Sequence, residues 1–390
     1  MKILISHFGI YKKGGWGRTF SLAKELAKTG NNVTVITSSS GKGFFWKKEV
    51  IDNIVVYSFQ DIIPLKILTM GFGFFSFINR LIFSSFFICD IVHVDSHRPN
   101  AYYVGLINKV FHKSKLFIEW WDYFGWEGQL KNKNKWFKFF LGRWEEYAEI
   151  NSKKKADGVI VLSHSMYNRA LKAGIQQYKL CVIHGGSGVR QLNFYSFGLN
   201  KEKIGLTKKT LTFGFIGGGD SELSDMKPFF DALQKIYTQN NNIKFLNFGN
   251  SFSKAVENHI IDKNMIIEMG WIDYSKDTSI LSTVDIFVLI KRNDIINIYG
   301  WPTKFGDYLA LGRPIMVNLY GDLIEVCNKY NINIISVEYD VNSIYAAISD
   351  VVMGKYNLNE MGQQNRIIAE KYMSWGMKVL ELERFYKGTM

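Results

Sequence analysis

Short apolar runs of strand length alternate with amphipathic helical runs along nearly the whole chain, and this alternation limits the fold more than any other feature. Residues 2–8, 33–37, 54–59, 90–96, 115–121, 158–163 and 180–184 read as strands in the first half. Residues 211–216, 243–248, 266–272, 285–290, 315–318 and 332–337 do so in the second. Parallel strands need crossover connections of helical length, and helices on both faces make such strands continuously apolar. The pattern predicts an α/β protein with parallel sheets. A length of 390 residues fits two domains. Residues 185–209 are loop-like and contain Gly, Ser and Asn, so a hinge is expected there.

Ligands of open α/β sheets sit beyond the carboxyl ends of the strands, which directs attention to the strand exits. The first exit reads Lys12-Lys13-Gly14-Gly15-Trp16-Gly17-Arg18. It lacks a GxGxxG spacing, and no acidic residue ends the following strand, so dinucleotide binding is disfavoured. The glycines either make a tight turn or let a ligand approach the backbone closely. Residues 95–100 and 120–127 form two further exits, polar or aromatic, which carry His97 and Asp122. Each has a plain structural reading, as a surface or capping residue. A functional reading follows if the exits converge. Gly217-Gly218-Gly219-Asp220 is the corresponding exit in the second half.

Residues 299–314, Tyr-Gly-Trp-Pro-Thr-Lys-Phe-Gly-Asp-Tyr-Leu-Ala-Leu-Gly-Arg-Pro, read as a loop, a helix and a turn. Pro302 suits a first helical turn, Gly312 a C-cap, and Pro314 forbids continuation. A helix opening behind Gly300 points free N–H groups at whatever lies before it, commonly a phosphate. Lys304 adds a cation, and Asp307, one turn on, can accept hydrogen bonds from sugar hydroxyls. An ordinary core helix with a polar start is the competing reading.

The net charge of +13 and pI of about 9.3 favour acidic partners. No nucleic-acid-binding signature accompanies the charge, so nucleotides or anionic lipid are preferred over nucleic acid. Cys89, Cys181 and Cys327 are far apart and set in apolar runs, and read as buried free thiols of a reducing compartment. The N-terminus is already a strand, with no signal-peptide layout, and a cytoplasmic location is expected. No HExxH, CxxC, Walker A or GxSxG match occurs, which argues against zinc hydrolases, P-loop enzymes and serine esterases. Residues 62–89 are the most apolar part, yet their longest uncharged run, 67–79, is too short to span a bilayer. Thr69, Gly73, Ser76, Arg80 and Ser84 make a polar stripe along it, consistent with a buried domain helix or with one lying in a membrane interface. Residues 131–155 are basic and aromatic (Lys131, Lys133, Lys135, Trp136, Phe139, Phe140, Arg143, Trp144), either a solvated helix face or a contact for anionic lipid.

Taken in order, these segments resemble a GT-B glycosyltransferase of the family 4 (group 1) retaining type. Residues 14–37 are similar to that family's opening. Residues 156–175 and 179–186 are similar to its mid-chain signature, and Met226-Lys227 to the start of its second-domain donor helix. Residues 302–314 resemble its donor motif, in a subgroup with Pro-Ser/Thr-Lys, and Ser374-Trp375 its last helix, which crosses back onto the first domain. The resemblance implies two Rossmann-like domains facing across a cleft. One is an acceptor-side domain, 1–195, completed by 373–390; the other, 205–372, binds a nucleotide-sugar donor. It implies donor contacts from Gly14, Gly15, Gly218, Lys227, Ile272, Tyr299, Gly300, Trp301, Lys304 and Asp307, with Asp122 and His97 in the reaction centre. Neither a metal nor a cofactor beyond the nucleoside-diphosphate sugar is implied.

Three positions depart from the family pattern. Its two Glu separated by seven residues are here Tyr299 and Asp307. Its second-domain Arg is replaced by Gly218, leaving Lys291, Arg292 or Lys304 to meet the diphosphate. Its His before an Asp is here Trp121 before Asp122. The activity implied is retaining hexosyl transfer to a glycan or lipid-linked acceptor in cell-surface polysaccharide or glycoconjugate synthesis, in the cytoplasm or peripherally on the inner face of the membrane. A nucleotide-sugar epimerase on the same architecture and a non-catalytic nucleotide-sugar-binding subunit are the rival readings.

Overall fold

A computed structural model describes residues 1–189, 191–274 and 276–389. The chain forms two compact units. Unit 1 contains Met1–Gly185, Tyr299–Trp301 and the C-terminal helix Trp375–Thr389; unit 2 contains Gly186–Ile298 and Pro302–Ser374. Residues 186–195, assigned above to the N-terminal domain, thus belong with unit 2.

Unit 1 is built on β1 (Lys2–Ile10), β2 (Asn32–Ser38), β3 (Trp46–Ile51), β4 (Ile54–Phe59), β5 (Ile91–Val94), β6 (Lys115–Trp120), β7 (Gly158–Val161) and β8 (Leu180–Val182). Their order in the sheet is β3-β4-β2-β1-β5-β6-β7-β8. All pairs are parallel except β3–β4. Ile3 of β1 lies opposite Val33 on one side and Ile91 on the other, so the apolar run is buried on both edges and both faces. The strand order reverses direction between β1 and β5, a topological switch point where ligands bind beyond the strand ends. Strand β3 was not expected. It is an exposed edge, rich in charge, hooked to β4 by Asp52 and Asn53, both at positive φ as a two-residue hairpin turn requires.

Four helices of unit 1 matter for the site: α1 (Trp16–Lys28), α2 (Phe74–Phe86), α3 (Pro99–His112) and α4 (Lys135–Lys155). Helix α2 is inside out. Its polar positions Ser76, Arg80 and Ser84 are buried, and Phe74, Ile78, Ile82 and Phe86 are exposed. Arg80 explains the inversion: its guanidinium donates to the carbonyls of His7 and Asn100, both at 2.8 Å, and to Ser38 Oγ at 2.8 Å. Burial draws its pKa down to about 9 against the pull of Asp95 and Asp61. Helix α4 shows the same inversion, burying Glu145, Glu149, Ser152 and Lys153 while Trp136, Phe139, Phe140 and Tyr147 face out. No helix among the described residues is long and apolar enough to cross a membrane.

The C-terminal helix closes the back of this sheet. Val379, Leu382 and Tyr386 pack on Ile3, Ile91 and Phe117, and Tyr386 OH meets His93 Nδ1 at 2.6 Å. Of the three cysteines, Cys89 and Cys327 are buried and Cys181 is partly exposed; all are free thiols.

Unit 2 has β9 (Leu211–Gly217), β10 (Ile243–Gly249), β11 (Ile266–Glu268), β12 (Ile286–Leu289), β13 (Ile315–Asn318) and β14 (Ile334–Val337), all parallel, in the order β11-β10-β9-β12-β13-β14. Helix α5 (Leu223–Tyr237) packs Phe229, Phe230 and Leu233 against Phe213, Phe245 and Phe252 in the core. Helix α6 (Thr303–Ala310) is the helix expected behind Gly300. It ends at Gly312, whose φ of +65° is the left-handed cap conformation. The switch point of this sheet lies between β9 and β12. The exits of those two strands are the Gly217–Gly219 turn and Lys291-Arg292.

Candidate active site

In unit 2 the switch point gathers a compact charge cluster. Helix α6 is fixed to the sheet by Tyr308, which is fully buried, stacks on Phe287 at 4.2 Å and receives a hydrogen bond from Ile216 N at 3.0 Å. Lys304 lies one helical turn before Tyr308, so the same face of α6 carries it to the end of β9. Its ammonium sits 4.2 Å from the centre of the Phe215 ring and 2.6 Å from Glu222 Oε1. Glu222 Oε1 also accepts from Gly218 N at 2.8 Å, and Oε2 from Lys291 Nζ at 2.5 Å. Asp225 receives Lys291 Nζ at 3.1 Å and Arg292 Nε at 2.8 Å. Burial works against the Glu222 carboxylate, yet Lys304 and Lys291 hold its pKa down at about 2. Burial lowers Lys304, with Glu222 opposing; in Lys291 the carboxylates outweigh burial and raise it.

Two glycines at this turn lie where a Cβ would meet neighbouring atoms. A Cβ on Gly217 would lie 2.5 Å from Lys304 Nζ. Gly219, at φ +58°, would place one 2.2 Å from the Ser251 carbonyl. The turn therefore lets Lys304 reach the backbone at the strand end.

The other expected donor contacts of unit 2 stand as follows. Asp307 Oδ1 accepts from Gly188 N at 2.9 Å, and the carboxyl is also hydrogen-bonded by Tyr274. Burial raises its pKa to about 6, with Gly188 and Tyr274 opposing. Lys227 lies apart from this cluster: its side chain is half exposed and its ammonium pairs with Asp231 at 2.6 Å. Ile272 is half-buried in the segment after β11. Lys291 and Glu222 supply the cluster in its place. Lys291 was a candidate from its strand exit, but the sequence offered no reason to expect an acidic residue between the lysines.

In unit 1 the β1 exit folds as the Gly-Gly reading allowed. Gly14 has φ +56°, and Gly15 lies beneath the Trp121 indole, where a Cβ would meet Trp121 Cζ3 at 2.2 Å. The indole N–H donates to Glu119, and the ring packs edge-on to Phe8 at 5.8 Å. Glu119 in turn binds the buried Arg18 guanidinium at 2.8 Å. Burial works against its charge, but Arg18 and His93 hold it well below the usual carboxylate range. At the switch point itself His7 Nδ1 pairs with Asp95, which also accepts from Phe8 N at 2.9 Å and Thr19 Oγ1 at 3.0 Å.

The β6 exit is pinned from behind. Glu149 of α4 accepts from Trp120 Nε1 at 2.7 Å, Phe124 N at 3.0 Å and Arg169 Nη1 at 2.7 Å. The Arg169 guanidinium lies 3.6 Å from the centre of the Tyr123 ring. Asp122 is half-buried and accepts from Gln129 Nε2 at 2.9 Å. Burial raises its pKa to about 6; Gln129 opposes and Glu149 adds to the rise.

His97 is wholly buried. Its Nε2 meets Glu145 Oε1 at 2.8 Å and its ring packs 4.9 Å from Phe124. Burial, then Lys153, Arg98 and Arg169, keep it neutral by holding its pKa well below the ordinary value. His97 is thus enclosed behind the loop by Glu145 and Phe124. Tyr299 and Trp301 also group with unit 1. The Tyr299 carbonyl accepts from Ser163 Oγ at 2.7 Å and its ring lies 5.3 Å from Tyr123, while Trp301 is buried against His184 at 4.2 Å; Gly300 between them is half-buried.

Comparison with known proteins bears on the fold. The sequence profile described as Glycosyltransferase Family 4 matches residues 14–187. A search of curated protein sequences found no match. Among solved structures, the sucrose-phosphate synthase of Thermosynechococcus elongatus superposes with a TM-score of 0.76 at 14% identity, covering 99% of this chain and 98% of that one. Anabaena HepE in complex with UDP-glucose gives 0.72 at 12% identity, covering 98% of both chains. WaaG, a glycosyltransferase involved in lipopolysaccharide biosynthesis, gives 0.69 at 11% identity over 99% of this chain and 98% of that one. At such identities these structures show the fold alone, two parallel α/β sheets as in GT-B glycosyltransferases, and within it residues 14–187, just under half of the chain, resemble Glycosyltransferase Family 4.

Proposed function

We propose that the enzyme takes its sugar from a nucleoside-diphosphate hexose and passes it, with retention, to a glycan or lipid-linked acceptor in cell-surface polysaccharide or glycoconjugate synthesis. The observation that carries this reading is the Lys291–Lys304 pair at the sheet switch point of unit 2, beside the Gly218 N–H. Breaking the glycosidic bond puts negative charge on the departing diphosphate. Preorganised ammonium groups and N–H donors aimed at that charge are the main catalytic requirement. In this reading unit 2 binds the donor, with Asp307 toward the ribose. Unit 1 receives the acceptor beside Gly14, Gly15 and the Trp121–Asp122 loop. The leaving phosphate takes the acceptor proton, Asp122 orients the sugar or acceptor, and His97 positions the loop through Glu145. HepE was crystallised with UDP-glucose, which makes that compound the first donor to try. Turnover of a panel of sugar nucleotides, with and without added acceptor, tests the reading. Product that forms equally well without acceptor would favour an epimerase, and nucleotide binding without turnover a silent subunit.

The acceptor reading rests on the two inverted helices. Helix α2 exposes Phe74, Ile78, Ile82 and Phe86, and α4 exposes Trp136, Phe139 and Phe140 beside Lys131, Lys135 and Arg143. Apolar stripes turned outward over buried polar ones mark a surface that seeks a nonaqueous partner. Their basic neighbours suit an anionic headgroup layer. We read unit 1 as resting on the membrane that presents the acceptor. Flotation with anionic and neutral vesicles tests this, and absence from both floated fractions would refute it.

A further inference from the structure

The cationic cradle of unit 2 already holds an anion, and the protein supplies it. Glu222 closes a one-turn 3-10 helix, Gly219–Glu222, that follows β9. One carboxylate oxygen takes Lys304 Nζ and Gly218 N, the other Lys291 Nζ. Two ammonium groups and a backbone N–H beyond the end of a parallel strand are the donors that phosphate oxygens take. We propose that Glu222 is an internal stand-in for the donor's diphosphate, which a nucleoside-diphosphate sugar must expel in order to bind. The inference rests on reading the Lys291–Lys304 pair as the diphosphate site.

Three observations support a displaceable carboxylate over a fixed brace. First, the two lysines are not equally dependent on it. Lys291 keeps Asp225 at 3.1 Å when Glu222 leaves, whereas no other ion pair to Lys304 occurs among the described residues. Withdrawal of Glu222 thus leaves Lys304 with no ion-pair partner among the described residues, a place that an incoming phosphate fills. Second, the carboxylate has somewhere to go. The Glu222 side chain is 17% exposed and hangs on three rotatable bonds, in a turn entered through Gly217, Gly218 and Gly219. Third, Glu222 favours the charged form of Lys304. Burial alone draws Lys304 toward its neutral form, and Glu222 is the first group opposing this. Occupancy by the carboxylate lowers donor affinity by the fraction of molecules in which the cradle is open.

The direction of one substitution separates the two roles. Glu222→Gln keeps the shape and one acceptor oxygen but removes the charge. With purified full-length protein and UDP as the probe, isothermal titration should give roughly tenfold tighter binding for E222Q, as expected if about a tenth of wild-type molecules stand open. Hydrogen exchange on the wild type is the second measurement and does not depend on the variant folding. Amides of residues 218–224 should lose protection when UDP binds. Equal or weaker UDP binding by a folded E222Q, or increased protection of 218–224 in the wild type, would overturn the inference and leave the donor site standing. If folded wild type and E222Q bind neither UDP nor ADP nor GDP, the donor-site reading falls and the inference with it.

Discussion

Gly15 offers a clean test of how the β1 exit is built. Its backbone sits at φ −65°, ψ 0°, a conformation any residue adopts, so replacing it with alanine brings no backbone strain. The obstacle is the Trp121 ring, with Cζ3 2.2 Å and Cη2 2.5 Å from the position of the new Cβ. Trp121 cannot simply swing aside, because its indole N–H is tied to Glu119, itself clamped by Arg18. Overpacking of this kind costs about 1–3 kcal/mol. Without the ring, the alanine gains about 0.4–1 kcal/mol from a stiffer unfolded chain and loses a similar amount because alanine caps helices poorly. Gly15→Ala should therefore destabilise the wild type by about 2 kcal/mol and leave Trp121→Ala nearly unchanged. Urea unfolding of the four proteins of this cycle gives the coupling directly. Equal effects of Gly15→Ala in the two backgrounds would refute the stacking of Trp121 on Gly15 as the reason glycine stands there.

Further outcomes follow from the same structure. Asp307 is held above the ordinary carboxyl range, at about 6 against 3.8, so its stabilising form is the protonated one, and that contribution is lost as pH rises from about 4 through 6. Asp307→Asn should gain stability over the wild type across that window, and urea midpoints that stay parallel from pH 4 to 8 would contradict the assignment. Arg80→Ala removes a buried guanidinium from two carbonyls and a hydroxyl and should lower stability by about 3–5 kcal/mol; a loss below about 1 kcal/mol in the same titration would be inconsistent. The triple variant Trp136→Ala, Phe139→Ala, Phe140→Ala should keep the wild-type melting temperature, since these rings are exposed, but lose vesicle flotation. Retained flotation would remove α4 from the proposed contact.

Much of this protein is readable from its residues, and the exceptions have physical causes. The strands at 54–59 and 315–318 coincide with β4 and β13, because buried parallel strands are apolar without interruption. Strand β3 escaped because its Trp-Lys-Lys-Glu-Val-Ile is that of an edge; only the Asp52-Asn53 pair before β4 hints at a hairpin. The polar stripe of α2 was visible, but not its direction, since amphipathicity gives a period and not which face meets the core. The opening of α6 and its Lys304 were legible from Pro302, Gly312 and Pro314. The partner of Lys304 was not: Glu222 lies 82 residues away and reaches it only through the β9–β12 switch. The surroundings of Lys227 were hidden for the converse reason. It follows the Gly-rich exit in sequence, as the resemblance requires, but on α5 it faces Asp231.

The proposed role of Lys304 in carrying the donor's diphosphate is open to a kinetic test. Hydrolysis or transfer from UDP-glucose and related sugar nucleotides is followed for wild type, Lys304→Ala and Lys227→Ala, each checked for native melting. Loss of a preorganised donor to the leaving group predicts a fall of about 100- to 1000-fold in kcat/KM for Lys304→Ala, with Lys227→Ala within about threefold of wild type as expected for an exposed ion pair. Wild-type turnover in folded Lys304→Ala would contradict the account.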